Sequence, residues 1–212
     1  MQIELDLNIP LSTTGGQDMQ IGLDRSHNIL LSISYVMEHN KKFILDTINT
    51  LQDNNKDKLR ELYETLIADM PTAKWSSNNK HQWREWWYYD HIADIIKFGK
   101  RLYDTLNDYR SLDFTFDDVV VVILLHDLEK PYKYSWDSLS EEMRTLDDHG
   151  KRDYIMNQYN IILSPIQQNG LDYIHGEWDA YSKTDRIMLP LAAFCHSIDT
   201  ISARIYFNDG KI

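Results

Sequence analysis

The chain has 212 residues, a length that suits one domain with a sizeable hydrophobic core. Its composition, 42% hydrophobic and 26% charged residues, is typical of a globular protein, and no apolar run approaches the roughly 20 residues that cross a bilayer. The net charge of −11 argues against a long nucleic-acid track, because neutralising phosphates needs clustered Lys and Arg, although a small phosphate ester remains open as a ligand.

Two further features concern the compartment and the type of metal site. The opening MQIELDLNIP has neither a basic region nor an apolar signal region, so we expect a cytoplasmic protein with no membrane association. Cys195 is the single cysteine, which excludes an intramolecular disulfide and a thiolate zinc site. A metal ion would therefore be held by imidazole and carboxylate groups.

Residues 1–25 predict an extended or β N-terminal arm. Apolar residues alternate with period 2 at Ile3, Leu5, Leu7 and Ile9. A turn or loop follows at residues 13–16, TTGG. The arm could pair with itself or with a partner chain, which leaves a homodimer open.

Helical spacing of apolar residues begins at residue 26. Residues 29–51 fit one or two amphipathic helices, which the polar stretch 52–56 ends, and residues 59–67 predict another. The next helix contains HQWREWWYYDH and extends through residue 106. Its stripe at i, i+4 and i+8 holds Trp83, Trp87 and His91, so these tryptophans either wall a pocket beside the histidine or fill the core.

Residues 116–134, FDDVVVVILLHDLEKPYKY, combine an unbroken apolar run with a cluster of ionisable groups. Five consecutive β-branched residues, 119–123, favour a buried strand by propensity alone. Asp117 and Asp118 suit a helix N-terminus, and a fully buried central helix need not be amphipathic, which favours a helix instead. The residues alone leave both structures open.

The C-terminal third also has helical patterns. These predict a helix over 148–163, a shorter element over 167–175, a loop over 176–185, and a long helix over 187–206 with Pro190 in its first turn. No repeat or linker divides the chain after residue 26. We therefore predict an all-α fold, in which the arm 1–25 precedes a single helical domain, 26–212.

Histidines and aspartates of the helical region form the pattern H…HD…H…H…D. Its members are His91, His126, Asp127, His149, His175 and Asp199. Three or more imidazoles with two carboxylates suit divalent Fe, Mn, Ni or Zn, and a carboxylate can bridge two ions. His126 and Asp127 diverge by about 100° on a helix, so one can bind one ion while the other reaches its neighbour. His196, one turn before Asp199, is a rival ligand or a hydrogen-bond donor behind the ligands.

This pattern resembles the HD-domain superfamily of metal-dependent phosphohydrolases. The similarity covers about residues 88–207 and is strongest at YDHIADIIKFGKRL, ILLHDLEKP, DHGKRDYIMNQYNIIL, LDYIHGEW and CHSIDTISARI. The resemblance implies an HD-domain-like helical bundle with its motif-bearing core at about residues 84–207. It also implies that residues 119–123 are helical. Glu129 stands where a glycine is common in the family.

The resemblance further implies a site with two divalent ions, of Mn, Fe, Ni, Mg or Zn. His91, His126, Asp127 and Asp199 match the primary metal tetrad with Asp127 as the bridge, and His149 and His175 match the ligands of a second ion. Lys130 matches a lysine that faces the phosphate, so catalytic roles fall to Asp127 and Lys130. Substrate binding is assigned to Lys130, Lys133 and Trp87, of which the Trp87 role, stacking a base, rests on helical spacing alone. The basic residues Arg152 and Arg204 are further phosphate candidates.

The activity implied is a phosphohydrolase, either a phosphomonoesterase or a phosphodiesterase. It would hydrolyse a nucleotide or another small phosphate ester through a metal-activated water. Two alternatives keep the same fold: a mixed-valent di-iron oxygenase and a non-catalytic nucleotide-binding module. The ligand pattern does not separate these three functions, whereas metal analysis and turnover of phosphoesters do.

Overall fold

The computed structural model describes residues 38–67, 87–134 and 141–205. Within these ranges the regular secondary structure is helical and includes no strand, which confirms the all-α prediction. The described residues from His39 onward belong to one compact unit. The predicted arm 1–25 and Trp83 lie outside the described residues.

The helices are α1 (38–50), α2 (Lys56–Glu64), α3 (Trp87–Tyr109), α4 (Phe116–Leu125), α5 (Lys130–Tyr134), α6 (Glu141–Arg144), α7 (Asp148–Gln158), α8 (Pro165–Tyr173) and α9 (Pro190–Ile205). A single 3-10 turn, Trp178–Ala180, lies in the predicted loop between α8 and α9. In the part of the chain that is described, no helix has the length and apolarity needed to cross a membrane.

Helix α4 is the centre of the fold, where strand propensity and burial oppose each other. A capping box fixes its start: Asp118 N–H donates to Thr115 Oγ1 at 3.2 Å, and Thr115 N–H donates to Asp118 Oδ2 at 2.8 Å. Its last seven residues, 119–125, are at most 1% exposed, because α3, α8 and α9 pack around them. The β-branched run is therefore helical, because the N-terminal cap and burial on all sides outweigh the strand propensity of these residues, which is about 1 kcal/mol per residue.

Gly170 allows α8 to approach α4 closely. A Cβ atom at this position would lie 2.9 Å from Val122 Cγ2 and 3.4 Å from Leu191 on α9. Such distances leave no room for a methyl group, so the three helices meet through a glycine. This contact brings the end of α8, and His175 just beyond it, towards the end of α4.

Two predicted boundaries differ from the structure around the turn between α7 and α8. Helix α7 ends at Gln158 rather than at residue 163, and Asn160 has a φ of 52°, a left-handed conformation that ends the helix. Helix α8 then begins at Pro165 rather than at residue 167. Ser164 caps it, because Gln167 N–H donates to Ser164 Oγ at 3.3 Å.

We expect Gly170→Ala to lower the free energy of unfolding by about 1 kcal/mol. Overpacking against Val122 costs about 1–3 kcal/mol, and the better helix propensity of Ala returns about 1 kcal/mol. Urea denaturation measures the change. In a Val122→Ala background the obstructing methyl is gone, so the same substitution should be neutral or stabilising; equal costs in both backgrounds would contradict the close approach.

Candidate metal centre

Five of the six predicted metal ligands lie together where α3, α4, α8 and α9 meet. His91 is on α3, and His126 and Asp127 directly follow α4. His175 is the second residue after α8, and Asp199 is on α9. The two residues after α4 are fully buried, and His91 is 5% exposed. His175 is the most open, with 40% of its side chain exposed.

Two imidazole nitrogens each lie near both carboxylates, at separations close to those between neighbouring ligands of one ion. His91 Nε2 lies 3.2 Å from Asp199 Oδ1 and 3.9 Å from Asp127 Oδ2. His126 Nε2 lies 3.3 Å from Asp127 Oδ2 and 3.7 Å from Asp199 Oδ1. Atoms that bind one ion at about 2.1 Å lie about 3.0–3.5 Å apart when they are neighbours. The separations match this geometry or exceed it slightly.

The two carboxylates also present their other oxygens to a second position. His175 Nε2 lies 3.5 Å from Asp127 Oδ1 and 4.0 Å from Asp199 Oδ2. Each carboxylate thus directs one oxygen towards His91 and His126 and the other towards His175. This arrangement is the one that a bridging carboxylate requires, and it includes Asp199 as well as the predicted bridge Asp127.

The orientation of the His126 ring explains why this cluster needs a cation. Its Nδ1–H donates to the Ile123 carbonyl at 2.7 Å, so a neutral ring has only a lone pair on Nε2. That lone pair faces the carboxylate oxygens of Asp127 and Asp199, which have no proton either. The Lys130 ammonium, 2.5 Å from Asp127 Oδ2, offsets part of the repulsion between these acceptors, and a proton or a metal ion between them offsets the rest. Because imidazole and carboxylate are the ligands of borderline divalent ions, the residues fit such an ion.

Without a metal ion, a proton on His126 serves as this cation. Burial acts to lower the pKa of His126, but the negative charges of Asp127 and Asp199 outweigh it and raise the pKa. Burial alone would raise the pKa of Asp199, yet the facing His126 and His91 hold it well below its usual range. Metal binding requires neutral imidazole, so a divalent ion must displace this proton.

Both predicted phosphate-binding lysines lie at the site and pair with carboxylates. Lys130 Nζ donates to Asp127 Oδ2 at 2.5 Å, and 17% of its side chain is exposed. Burial acts to lower the pKa of Lys130, but Asp127 outweighs it and raises the pKa, so the ammonium stays charged. Lys133 Nζ donates to Asp148 Oδ2 at 2.5 Å nearer the surface.

A cleft of about 830 Å³ opens beside the carboxylates. Its lining includes the proposed ligands His175 and Asp199 and the cationic side chains Lys130, Lys133, Arg152 and Arg204, together with His149 and Trp178. The volume is within the range of small-molecule sites, which is about 300–1,000 Å³. The cluster of ligands therefore has access to a substrate.

One predicted ligand, His149, stands apart from the cluster, and one predicted substrate-binding side chain, that of Trp87, is not described. His149, in the first turn of α7, lines the cleft, and its Nδ1 accepts a hydrogen bond from Arg152 at 3.0 Å. Among the described residues, two groups have ligand atoms within 4.8 Å of one another, and His149 belongs to neither: His91, His126 and Asp199, and His126, Asp127 and His175. Trp87 is the first residue of α3, and its side chain lies outside the described part of the structure.

Three further residues line the cleft, of which the sequence analysis gave a role only to His196. Glu129 is 8% exposed, and burial together with the charge of Asp127 raises its pKa. His196 donates Nδ1–H to the Ile174 carbonyl at 2.6 Å, and its spacing from Asp199 was the signal that marked it as a rival ligand. Trp178 is 78% exposed at the rim, and no pattern in the sequence marked it, because its position depends on the 3-10 turn.

Comparison with protein-family models, curated proteins and solved structures finds no match to this chain. The resemblance to HD domains therefore stays a prediction that rests on the motifs and their spacing.

Removing bound metal with a chelator should lower the melting temperature by several degrees. A metal ion that binds the native state and not the unfolded state stabilises the native state by about 2.7 kcal/mol when its concentration is a hundredfold above Kd. Thermal scans with and without chelator measure this shift, and His126→Ala, which lacks a central ligand, is the control. Equal shifts in both proteins, or none in either, would show that the cluster does not hold metal.

Acid should have the same effect as the chelator. Protons compete with metal for the imidazole nitrogens, and the pKa of His126 is raised above the ordinary histidine value of about 6.5, so the metal-dependent part of the melting temperature should begin to decrease above that pH and continue to decrease below it. The metal-dependent shift decreases in acid, rather than increasing, because histidine must be neutral in the metal-bound state. A metal-dependent shift that stays constant from pH 8 to about pH 5 would contradict imidazole ligation.

Proposed function

We propose that this protein is an HD-type, metal-dependent phosphohydrolase that acts on a nucleotide or another small phosphate ester. The observation that carries the proposal is the orientation of His126, whose Nε2 lone pair faces two buried carboxylates at 3.3 and 3.7 Å. A buried group of acceptors with this geometry is stabilised by a cation, and its open side faces a cleft. His91, His126, Asp127, Asp199 and His175 are the residues that would hold metal.

Cationic side chains around the cleft favour a phosphorylated substrate. Lys130 lies next to Asp127, with its charge maintained, and Lys133 and Arg204 are further out. Arg204 is exposed, and none of the described residues forms an ion pair with it. All three line the same cleft, so a phosphate with two negative charges bound there would be attracted by several cations.

The chain's own residues bind and orient the phosphate in this proposal. A bound divalent ion supplies an acidified water as nucleophile and neutralises charge on the phosphoryl oxygens. Lys130 donates to a phosphoryl oxygen as negative charge develops there, because its ammonium is fixed by Asp127 and is largely shielded from solvent. Arg204 binds the outer part of the substrate.

A nucleotide is favoured among phosphate esters by an aromatic residue at the rim of the cleft. Trp178 is 78% exposed and lines the cleft, so one face of its indole ring is accessible for stacking. Stacking of a base on an aromatic side chain contributes about 1–3 kcal/mol. This role is the one that sequence spacing suggested for Trp87.

The carboxylate bridge is also compatible with the alternative function, a mixed-valent di-iron oxygenase. Anaerobic purification followed by metal analysis and electron paramagnetic resonance separates the two functions. Hydrolysis of phosphoesters with Mn²⁺ and no mixed-valent signal supports the phosphohydrolase. A mixed-valent iron pair without phosphoester turnover supports the oxygenase, and metal binding without any turnover supports a nucleotide-binding module.

We expect two divalent ions per fully loaded chain. Asp127 and Asp199 present oxygens to both positions, and His175 is near the second one only. Elemental analysis of the Mn²⁺-loaded protein should therefore give two ions for the wild type and fewer for His175→Ala. One ion in both proteins would restrict the centre to the tetrad of His91, His126, Asp127 and Asp199.

Asp127→Ala should decrease phosphoester turnover by at least about a hundredfold while the fold is retained. The substitution removes the carboxylate shared by both metal positions and the partner of Lys130, a loss of several kcal/mol of charge stabilisation. The assay uses aryl mono- and diesters and nucleotides at saturating Mn²⁺, with circular dichroism as the check on folding. Asp104→Ala, which removes an exposed carboxylate paired with Lys100, is the matched control; near-wild-type turnover of Asp127→Ala would disprove the bridging role.

A further inference from the structure

Histidines around the cleft are held in opposite tautomers. His196 donates Nδ1–H to the Ile174 carbonyl at 2.6 Å, as His126 does to Ile123 at 2.7 Å. A neutral ring held in this way has a lone pair on Nε2, which is the form that binds a metal ion. His149 has the reverse arrangement, because the partner of its Nδ1 is Arg152.

The chemistry of Arg152 determines the tautomer of His149. A guanidinium has five N–H donors, no acceptor, and no accessible neutral form. Since Arg152 can only donate, Nδ1 of His149 must accept, and the proton of the neutral ring is on Nε2. That nitrogen is then a hydrogen-bond donor with no lone pair for a metal ion. A metal-ligating histidine usually requires the opposite, an Nδ1–H that donates to a carboxylate, a carbonyl or water.

Arg152 is anchored by other contacts that oppose its rotation away from His149. It is 4% exposed although it lies only three residues further along α7. Its NH1 donates to the Leu171 carbonyl on α8 at 3.2 Å, and its NH2 also lies 3.4 Å from Asp172 Oδ1. Moving the guanidinium would leave the buried carbonyl without this donor, which costs free energy.

The surroundings of His149 indicate what its Nε2–H would bind. The ring lines the cleft with Lys133 and Arg204, and two acidic residues of the same lining, Asp148 and Asp172, are paired with Lys133 and Arg152. A donor placed among cations complements an anionic oxygen rather than a further cation. An additional metal ligand in this position would instead be expected to face carboxylates, as His126 and His175 do.

We propose that His149 is a hydrogen-bond donor to a phosphate oxygen of the substrate and does not bind metal, with Arg152 as the residue that positions it. The identity of the anion rests on the proposed phosphohydrolase function, whereas the tautomer does not. The second metal position would then be held without His149, because His126, Asp127 and His175 offer ligand atoms within 4.8 Å of one another, and Asp199 Oδ2 lies 4.0 Å from His175 Nε2.

Long-range proton–nitrogen NMR of the imidazole rings tests the tautomer directly. The full chain is measured without metal and after loading with diamagnetic Zn²⁺, and the His149 signals are assigned by their loss in His149→Gln. We expect the proton on Nε2 of His149 in both states, and on Nδ1 of His196. A proton on Nδ1 of His149 in the zinc-loaded protein, with Nε2 shifted as a metal ligand, would overturn the proposal.

A second experiment measures metal content and phosphate affinity in the same variants. His149→Ala removes the donor, His149→Gln restores an N–H near the position of Nε2, and His175→Ala is the control for a lost ligand. In His149→Ala we expect unchanged Mn²⁺ content and about ten- to a hundredfold weaker binding of inorganic phosphate in calorimetry. His149→Gln should recover part of the affinity.

The outcomes separate this proposal from the proposed function. If His149→Ala loses Mn²⁺ as His175→Ala does, His149 is a ligand and the proposal is wrong while the phosphohydrolase stands. If His149→Ala binds phosphate as tightly as the wild type, or if His149→Gln recovers none of the lost phosphate affinity, His149 is not a hydrogen-bond donor to phosphate. If the wild type binds no Mn²⁺, the proposed function fails, and the NMR measurement still decides the tautomer of His149.

Discussion

The hydrogen bond from His126 Nδ1–H to the Ile123 carbonyl determines what the centre of this protein can bind. It leaves Nε2 as a buried acceptor opposite two carboxylates, an arrangement that is repulsive without a cation. A proton satisfies it in part, which is why the pKa of His126 is raised against the opposing effect of burial. A divalent ion bound here would satisfy the acceptors together and would thereby stabilise the helix bundle.

The fold places this cluster by enclosing α4 on all sides. Residues 119–125 have no exposed face, and the helix ends where the ionisable residues begin, so His126 and Asp127 enter the site from its buried base. Gly170 lets α8 approach this helix, and the chain after α8 brings His175 to the outer oxygens of the carboxylates. The site is thus closed towards α4 and open towards the cleft.

Much of the fold could be predicted from periodicity, caps and prolines. The strand propensity of residues 119–123 was the exception, because burial on all sides is a property of the tertiary structure and leaves no period in the sequence.

For the site, the spacing of histidines and aspartates predicted the five residues that converge. It could not predict which nitrogen of each histidine is free, since that depends on partners such as Ile123, Ile174 and Arg152. Trp178 was missed for a similar reason, because its place at the cleft depends on a turn.

The most direct test of the metal centre is a crystal structure of the Mn²⁺-loaded protein with anomalous scattering data. We expect an anomalous peak within about 2.3 Å of His126 Nε2, enclosed by His91 Nε2, Asp127 Oδ2 and Asp199 Oδ1. A fully Mn²⁺-equilibrated crystal with no peak there, and with His126 Nε2 hydrogen-bonded directly to a carboxylate, would contradict it.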